Sequence, residues 1–371
     1  MAQLAAPEAA PEADCADGGR HPRMAPEVFG QDHAIDTWLA AEDSGRRHHA
    51  WLLTGPKGIG KATLAWKLAA HVLGDAGGGM FGGPSRAEIE RGPAPDSPLA
   101  HRIAALSEPR LKLIRRAWDA KAERHKTAIT VEEVRELRNF FQMSAADGGA
   151  RVVIVDAADE MNTAAANALL KSLEEPPSGA VFFMIAESPT AILPTIQSRC
   201  RRLMCAALQP ADIARALDGS EIETSQGLAA LSKGSAGAAL RLARQDGARL
   251  YGEFLSLYRS AAHDREAAHR IADTLAGKGK TERQDIAFDL VQTFVARLAL
   301  AGATGTVPQP VADIEPQTLA RLAPTSAAGR DWAELSAELG PMLRHGRGVN
   351  LDPGLLLLDT LRRIDRVAAR H

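Results

Sequence analysis

Residues Gly55-Pro56-Lys57-Gly58-Ile59-Gly60-Lys61-Ala62-Thr63 come close to a phosphate-binding loop. In such a loop, glycines let successive backbone N–H groups wrap phosphate oxygens at a helix N-terminus. A terminal lysine, here Lys61, then reaches the β- and γ-phosphates, and the next Ser or Thr holds Mg²⁺. This chain has Ala62 at that point. Thr63 comes one residue late, about 100° around a helix, and cannot simply substitute. The bare alternative is a glycine turn that joins strand to helix and holds no ligand.

Val152-Val153-Ile154-Val155-Asp156 is an apolar run that ends in a carboxylate. Ligands of open α/β sheets bind at the carboxyl ends of the strands, so Asp156 is a candidate to orient a metal or its water. Its other reading is a cap on the following turn. Ala157 follows, where many ATPases carry a catalytic glutamate, and an alanine has no atom to accept a proton. The candidate nucleotide contacts are therefore Gly55, Gly58, Gly60, Lys61, Thr63 and Asp156, in a site that lacks two of its polar atoms. Downstream, Ser198-Arg199-Cys200 presents an arginine that could stabilise charge on a neighbour's γ-phosphate. Arginines supplied that way are worth ~10³–10⁵ in rate in GTPases. The bland reading of Arg199 is an intramolecular ion pair. Seven Lys/Arg between Arg110 and Lys126, with Trp118 among them, read either as a track for a phosphate backbone or as a solvated face.

These groups need a scaffold. The run 49–54 stops at Gly55, and Leu64, Leu68 and Val72 then recur at four-residue spacing, so strand, glycine loop and helix follow in the order a phosphate loop requires. Residues 127–129 suggest a short strand, after which Thr130 and Glu133 form a capping box for a helix. A helix from Asn162 or Thr163 ends at Pro176-Pro177, Val181–Ile185 is a third buried strand, and a short helix starts near Thr195. Strands alternating with helices imply a parallel sheet covered on both faces. From about Gln209 the pattern is helical throughout, with stretches near 211–217, 224–232, 235–244, 247–262, 264–276, 281–301, 328–345 and 351–369. Residues 1–23, rich in Ala, Pro and acid, read as a disordered tail without the features of a signal peptide. The segment 74–84 is Gly-rich and flexible on composition.

With 371 residues the chain has room for two or three domains, and a net charge of −2 excludes a global field for nucleic acid. Cys15, Cys200 and Cys205 have neither metal-ligand nor disulfide spacing, which fits a reducing cytoplasm. No apolar run approaches the roughly 18 residues of a membrane span.

Taken together, GPKGIGK, VVIVDAAD, NALLKSLEEPP and ILPTIQSRC resemble the AAA+ clamp-loader family, and within it the delta-prime branch of bacterial DNA polymerase III. The most specific piece is Asn162–Pro177, and the resemblance is clear over about 24–260. It implies an α/β plus all-α architecture: a RecA-like AAA+ domain over 24–207, a helical lid over 208–262 and a helical collar over 263–371. It implies tau/gamma and delta subunits as partners in a hetero-pentameric ring, which opens a sliding clamp and loads it onto primed DNA in the cytoplasm, with no membrane involved. It also implies that Arg199, within Ser198-Arg199-Cys200, acts in trans. Relatives often carry a four-cysteine zinc module where this chain has the cysteine-free 74–98, so no zinc is expected. The lid's usual arginine falls near Gly237, with Arg241 four residues on. The expectation is a subunit without catalytic residues of its own, needing no cofactor and binding at most weak ATP or ADP. The alternative is a self-sufficient P-loop ATPase or an active tau/gamma-type subunit.

Overall fold

The computed structural model describes residues 12–15, 19–44, 48–74, 85–142, 149–218, 225–260, 264–277 and 279–371. Among the described residues there are seven strands: β1 (Ala50–Thr54), β2 (Leu111–Ile114), β3 (Trp118–Asp119), β4 (Arg124–His125), β5 (Arg151–Asp156), β6 (Ala180–Ala186) and β7 (Arg201–Met204). Five form one parallel sheet in the order β2-β5-β6-β1-β7, with Trp51 opposite Phe183 and Val153 opposite Phe182. β3 and β4 form a separate antiparallel pair. The three central strands are the three apolar runs of the sequence. Residues alternate between the two faces: Trp51, Leu53, Ile154 and Phe183 enter one core, and Ala50, Leu52, Val153, Phe182 and Met184 enter the other.

Both faces are covered by helices. On the first lie α1 (Asp32–Asp43), α2 (Lys61–Gly74), α3 (Arg86–Arg91) and α4 (Pro98–Ala104), through Ile35, Trp38, Leu64, Leu68, Ile89 and Ile103. On the second lie α5 (Val131–Gln142), α6 (Thr163–Glu174) and α7 (Pro194–Gln197), through Val134, Leu137, Leu169, Leu173 and Ile196. α8 (Pro210–Ala216) follows β7. Asn162 caps α6, its Oδ1 accepting the Ala165 N–H at 2.8 Å. The expected box at the start of α5 is half formed: Glu133 accepts the Thr130 N–H at 2.8 Å, while the Thr130 hydroxyl donates to Glu133 instead of accepting a backbone N–H.

Two expectations need correction, and two strands of the sheet had no sequence signal. Residues 127–129 are not a strand; only Ile129 pairs, in an isolated bridge to Met161. β2 and β7 border the sheet and keep polar residues on open positions, so their sequences carry no continuous apolar run. Of the segment 1–23, residues 1–11 and 16–18 lie outside the described residues, as do 75–84. The remainder is pinned to the domain: Arg115, just past β2, pairs with Glu12 and Asp14, Arg23 pairs with Glu12, and His21 is buried. Composition alone hides this, because the acids that suggest solvation have basic partners about a hundred residues away.

The chain divides into two compact units, one of residues 1–218 with 235–237, the other of 219–234 with 238–371. The second takes in most of the segment expected as lid together with the whole of that expected as collar. Its helices are α9 (Gln226–Leu231), α10 (Ala236–Arg244, which begins within the first unit), α11 (Gly247–Leu257), α12 (Arg265–Thr274), α13 (Thr281–Thr304), α14 (Glu315–Leu322), α15 (Ser326–Gly348) and α16 (Pro353–Ala368). α13 is long and apolar enough to cross a membrane by length and composition, but most of it is buried in the bundle. It crosses α15 backbone to backbone: a Cβ built on Gly302 would sit 2.6 Å from Gly329 Cα, and one built on Gly329 would sit 2.5 Å from Ala303 N. A buried polar knot ties three elements, with Glu315 accepting from the Tyr251 hydroxyl at 2.6 Å and from Arg297 Nε at 2.6 Å.

The two-faced sheet yields a stability prediction. Phe183 is fully buried and packs 5.4 Å from Trp38, ring centre to ring centre. Phe183→Ala is expected to lower unfolding free energy by about 3–5 kcal/mol, read from the urea midpoint of the full chain. A loss under about 1 kcal/mol would mean that this core face repacks freely.

Candidate functional site

The glycine loop, Lys61 and Asp156 gather where β1 and β5 end. β1 stops at Thr54, and the chain turns through Gly55, Gly58 and Gly60 with φ of +149°, +71° and +97° before α2 begins at Lys61. Positive φ suits glycine, which has no Cβ to clash. Lys61 is 5% exposed. Its ammonium folds back to donate to the carbonyls of Gly55 and Pro56. Burial pushes its pKa down, against the pull of Glu187, Cys205, Asp156 and Asp159. Ala62 packs its methyl against the core of the sheet's first face. Thr63 is half-buried on the next position of α2.

Asp156 lies at the end of β5, beside the lysine's charge. Its side chain keeps some contact with solvent, yet protein surrounds most of it. Burial pushes its carboxyl up to about 7; Asp14, Glu160 and Glu187 add to that, and Lys61 opposes it. The two acids that follow Ala157 have other partners. Asp159 Oδ2 accepts the N–H groups of Glu187 and Ser188 at 2.9 and 2.8 Å, tying down the exit from β6. Glu160 pairs with Arg116 at 2.7 Å. Next to the loop, Gly237 donates its N–H to the Gly58 carbonyl at 3.1 Å. A Cβ built on Gly58 would lie 2.5 Å from Ser235 Oγ, so the 235–237 segment lies directly on the loop and brings no cation to it. Arg241 instead has Asp289 of α13 as a charged neighbour.

Ser198-Arg199-Cys200 follows α7. Arg199 is about a third exposed and bonds to its own chain, to Glu174 at 2.8 Å and to the Thr195 carbonyl at 2.8 Å. The ion pair weighed for it in the sequence is thus present. Cys200 donates to the Ile196 carbonyl at 3.0 Å, and burial pushes its thiol up to about 12, so it behaves as a small apolar residue. Of the seven basic residues in 110–126, five are paired with carboxylates: Arg110, Lys112, Arg115, Arg116 and Lys126. Lys121 and Arg124, at the β3–β4 turn, remain exposed, which favours the solvated-face reading. Two participants lay beyond sequence reasoning. Glu174 sits inside the most family-like segment with no mark of its partner, and Arg115 lies in a basic run that hides which base reaches the strand ends.

Part of the chain is similar to known proteins. A family model described as DNA polymerase III, delta subunit, matches residues 30–209. Those residues hold the loop, Asp156 and Arg199. This region is similar to clamp-loader subunits of DNA polymerase III. It is delta-prime-like: it is 36% identical over 209 residues to the DNA polymerase III subunit delta' of Pseudomonas aeruginosa, covering 55% of this chain and 58% of that one. It is 34% identical over 217 residues to the delta' of Escherichia coli, covering 56% of this chain and 58% of that one. The matched region therefore spans a little over half of these relatives. The gamma/tau subunit of Mycobacterium tuberculosis is 33% identical over 184 residues, covering 50% of this chain and 29% of that one. Among solved structures, a gamma-subunit-related protein of Thermotoga maritima superposes over 90% of this chain and 99% of its own, at 16% identity and a TM-score of 0.38. That superposition is loose, and the α/β plus all-α fold class rests on the parallel sheet and helices described above.

Asp156 sets a pH dependence. Its folded pKa of about 7 lies above the unfolded value near 3.9, so the native state takes up a proton as pH falls from about 7 towards 4. Its contribution to stability is therefore least favourable above pH 7 and improves below it. Asp156→Asn is expected to raise stability by roughly 1–3 kcal/mol at pH 8 and to change little near pH 4, measured by urea unfolding at both values. Equal effects at the two pH values would show that the carboxyl titrates normally.

Proposed function

We propose that this chain is a non-hydrolysing clamp-loader subunit of the delta-prime kind, which supplies Arg199 to the ATP site of an adjacent subunit during loading of the sliding clamp in DNA replication. One combination carries the reading. The two positions that would bind Mg²⁺ and activate water hold Ala62 and Ala157, while Ser198-Arg199-Cys200 is intact and its guanidinium is partly open to solvent. The acids after Ala157 are committed elsewhere, and Gly237 offers no charge to the loop, which further supports loss of turnover within the chain. On this reading the partners are tau/gamma and delta subunits in a five-membered ring, with the clamp and primed DNA met through the assembly, in the cytoplasm. The retained Lys61 and Asp156 support weak binding of ATP or ADP without turnover, and no cofactor or zinc is required.

Two measurements test it. The isolated chain is expected to show no Mg-dependent ATP hydrolysis above background, and robust turnover would favour a self-sufficient ATPase or an active tau/gamma-type subunit instead. In a ring reconstituted with hydrolysing partners, Arg199→Ala is expected to abolish the share of turnover that depends on this subunit, since a trans arginine is worth ~10³ or more at the site it serves. Undiminished clamp-stimulated turnover in that ring would remove the trans role.

A further inference from the structure

Arg199 is held by three acceptors of its own chain. Nη1 donates to the Thr195 carbonyl at 2.8 Å and to Ser198 Oγ at 3.4 Å, and Nη2 reaches Glu174 Oε1 at 2.8 Å. A guanidinium has five N–H donors in one rigid plane. Among the described residues no acceptor engages Nε, so that N–H and the second N–H of Nη2 are left for an oxygen from outside the chain.

Glu174 is an unusual place for an acid. It is the last residue of α6, where the helix presents unpaired carbonyls and a partial negative charge, and a carboxylate there is disfavoured. Nothing in the end of α6 needs it, since Pro176-Pro177 already stop the helix. Its described partner is Arg199. The pair is solvent-accessible on both sides, 35% for the arginine and 48% for the glutamate. A pair that exposed contributes little to stability. What it does fix is the plane of the guanidinium relative to the end of α6.

We propose that Glu174 is a positioning residue for Arg199: its carboxylate, together with the Thr195 carbonyl, holds one part of the guanidinium so that the free N–H groups meet a phosphoryl oxygen carried by the adjacent subunit. The inference rests on the trans role of Arg199 given above. Positioning lowers the barrier because a long, flexible side chain that arrives already aligned loses less freedom in the transition state. Replacing the carboxylate leaves Arg199 charged and present but free to sample other rotamers.

The experiment uses the full chain in rings with hydrolysing partner subunits, clamp and primed DNA, and compares Glu174→Ala, Glu174→Asp, Arg199→Ala and the double variant. Glu174→Ala is expected to lower kcat for the Arg199-dependent turnover about threefold or more while KM for ATP stays within about twofold. Glu174→Asp recovers part of the loss, and the double variant turns over at the rate of Arg199→Ala alone, because the carboxylate acts only through the arginine. The urea midpoint of the isolated Glu174→Ala chain stays where it was. Unchanged or raised kcat in Glu174→Ala, or losses that multiply in the double variant, overturn the inference while leaving the trans role standing. An Arg199→Ala ring with full turnover removes the trans role itself, and the positioning inference with it.

Discussion

A sheet packed on both faces leaves only the ends of its strands for polar chemistry. β1, β5 and β6 are buried along nearly their whole length, and an unpaired charge inside either core would cost several kcal/mol. Lys61, Asp156 and Asp159 therefore crowd together where the strands stop, with Glu187 beside them. Arg199 lies beyond the end of β6, carried by a short helix of its own. Burial shifts the titration of Lys61 and Asp156 in opposite directions, the lysine down and the aspartate up. Each is kept in place by packing, with or without a ligand.

Around that edge, positions 62 and 157 carry methyl groups, and the one at 62 packs against the core of the sheet's first face. Lys61 has settled on two carbonyls of its own loop. The neighbouring acids serve architecture: Asp159 fastens the β6 exit, and Glu160 answers Arg116. The glycines, the buried strands and the lysine thus maintain the fold at this edge.

The parts of this arrangement that could be read from the sequence are those with local signatures. Continuous apolar runs gave the three central strands, the Asn162 cap and Pro176-Pro177 bounded α6, and the helical stretch near 351–369 became α16, with Asp352 accepting the Leu355 N–H at its start. The rest depends on distant partners. β2 and β7 are border strands whose polar residues break the pattern, the short helices α3, α4 and α14 have too few turns to show a period, and the ion pairs of Glu12 and Asp14 with Arg115 span about a hundred residues. For the site, the residue types at 55–63, 156 and 198–200 were legible. The hold of Glu174 on Arg199 was not, since no spacing rule connects the end of one helix to the residue after another.

The crossing of α13 and α15 has a consequence for how these two helices can vary. Gly302 and Gly329 already carry the smallest side chain available, and each blocks growth of the other. No compensating shrinkage exists at that spot, so a gain of bulk on one helix cannot be answered by a swap on its partner. The two positions can accept bulk only if the helices themselves part.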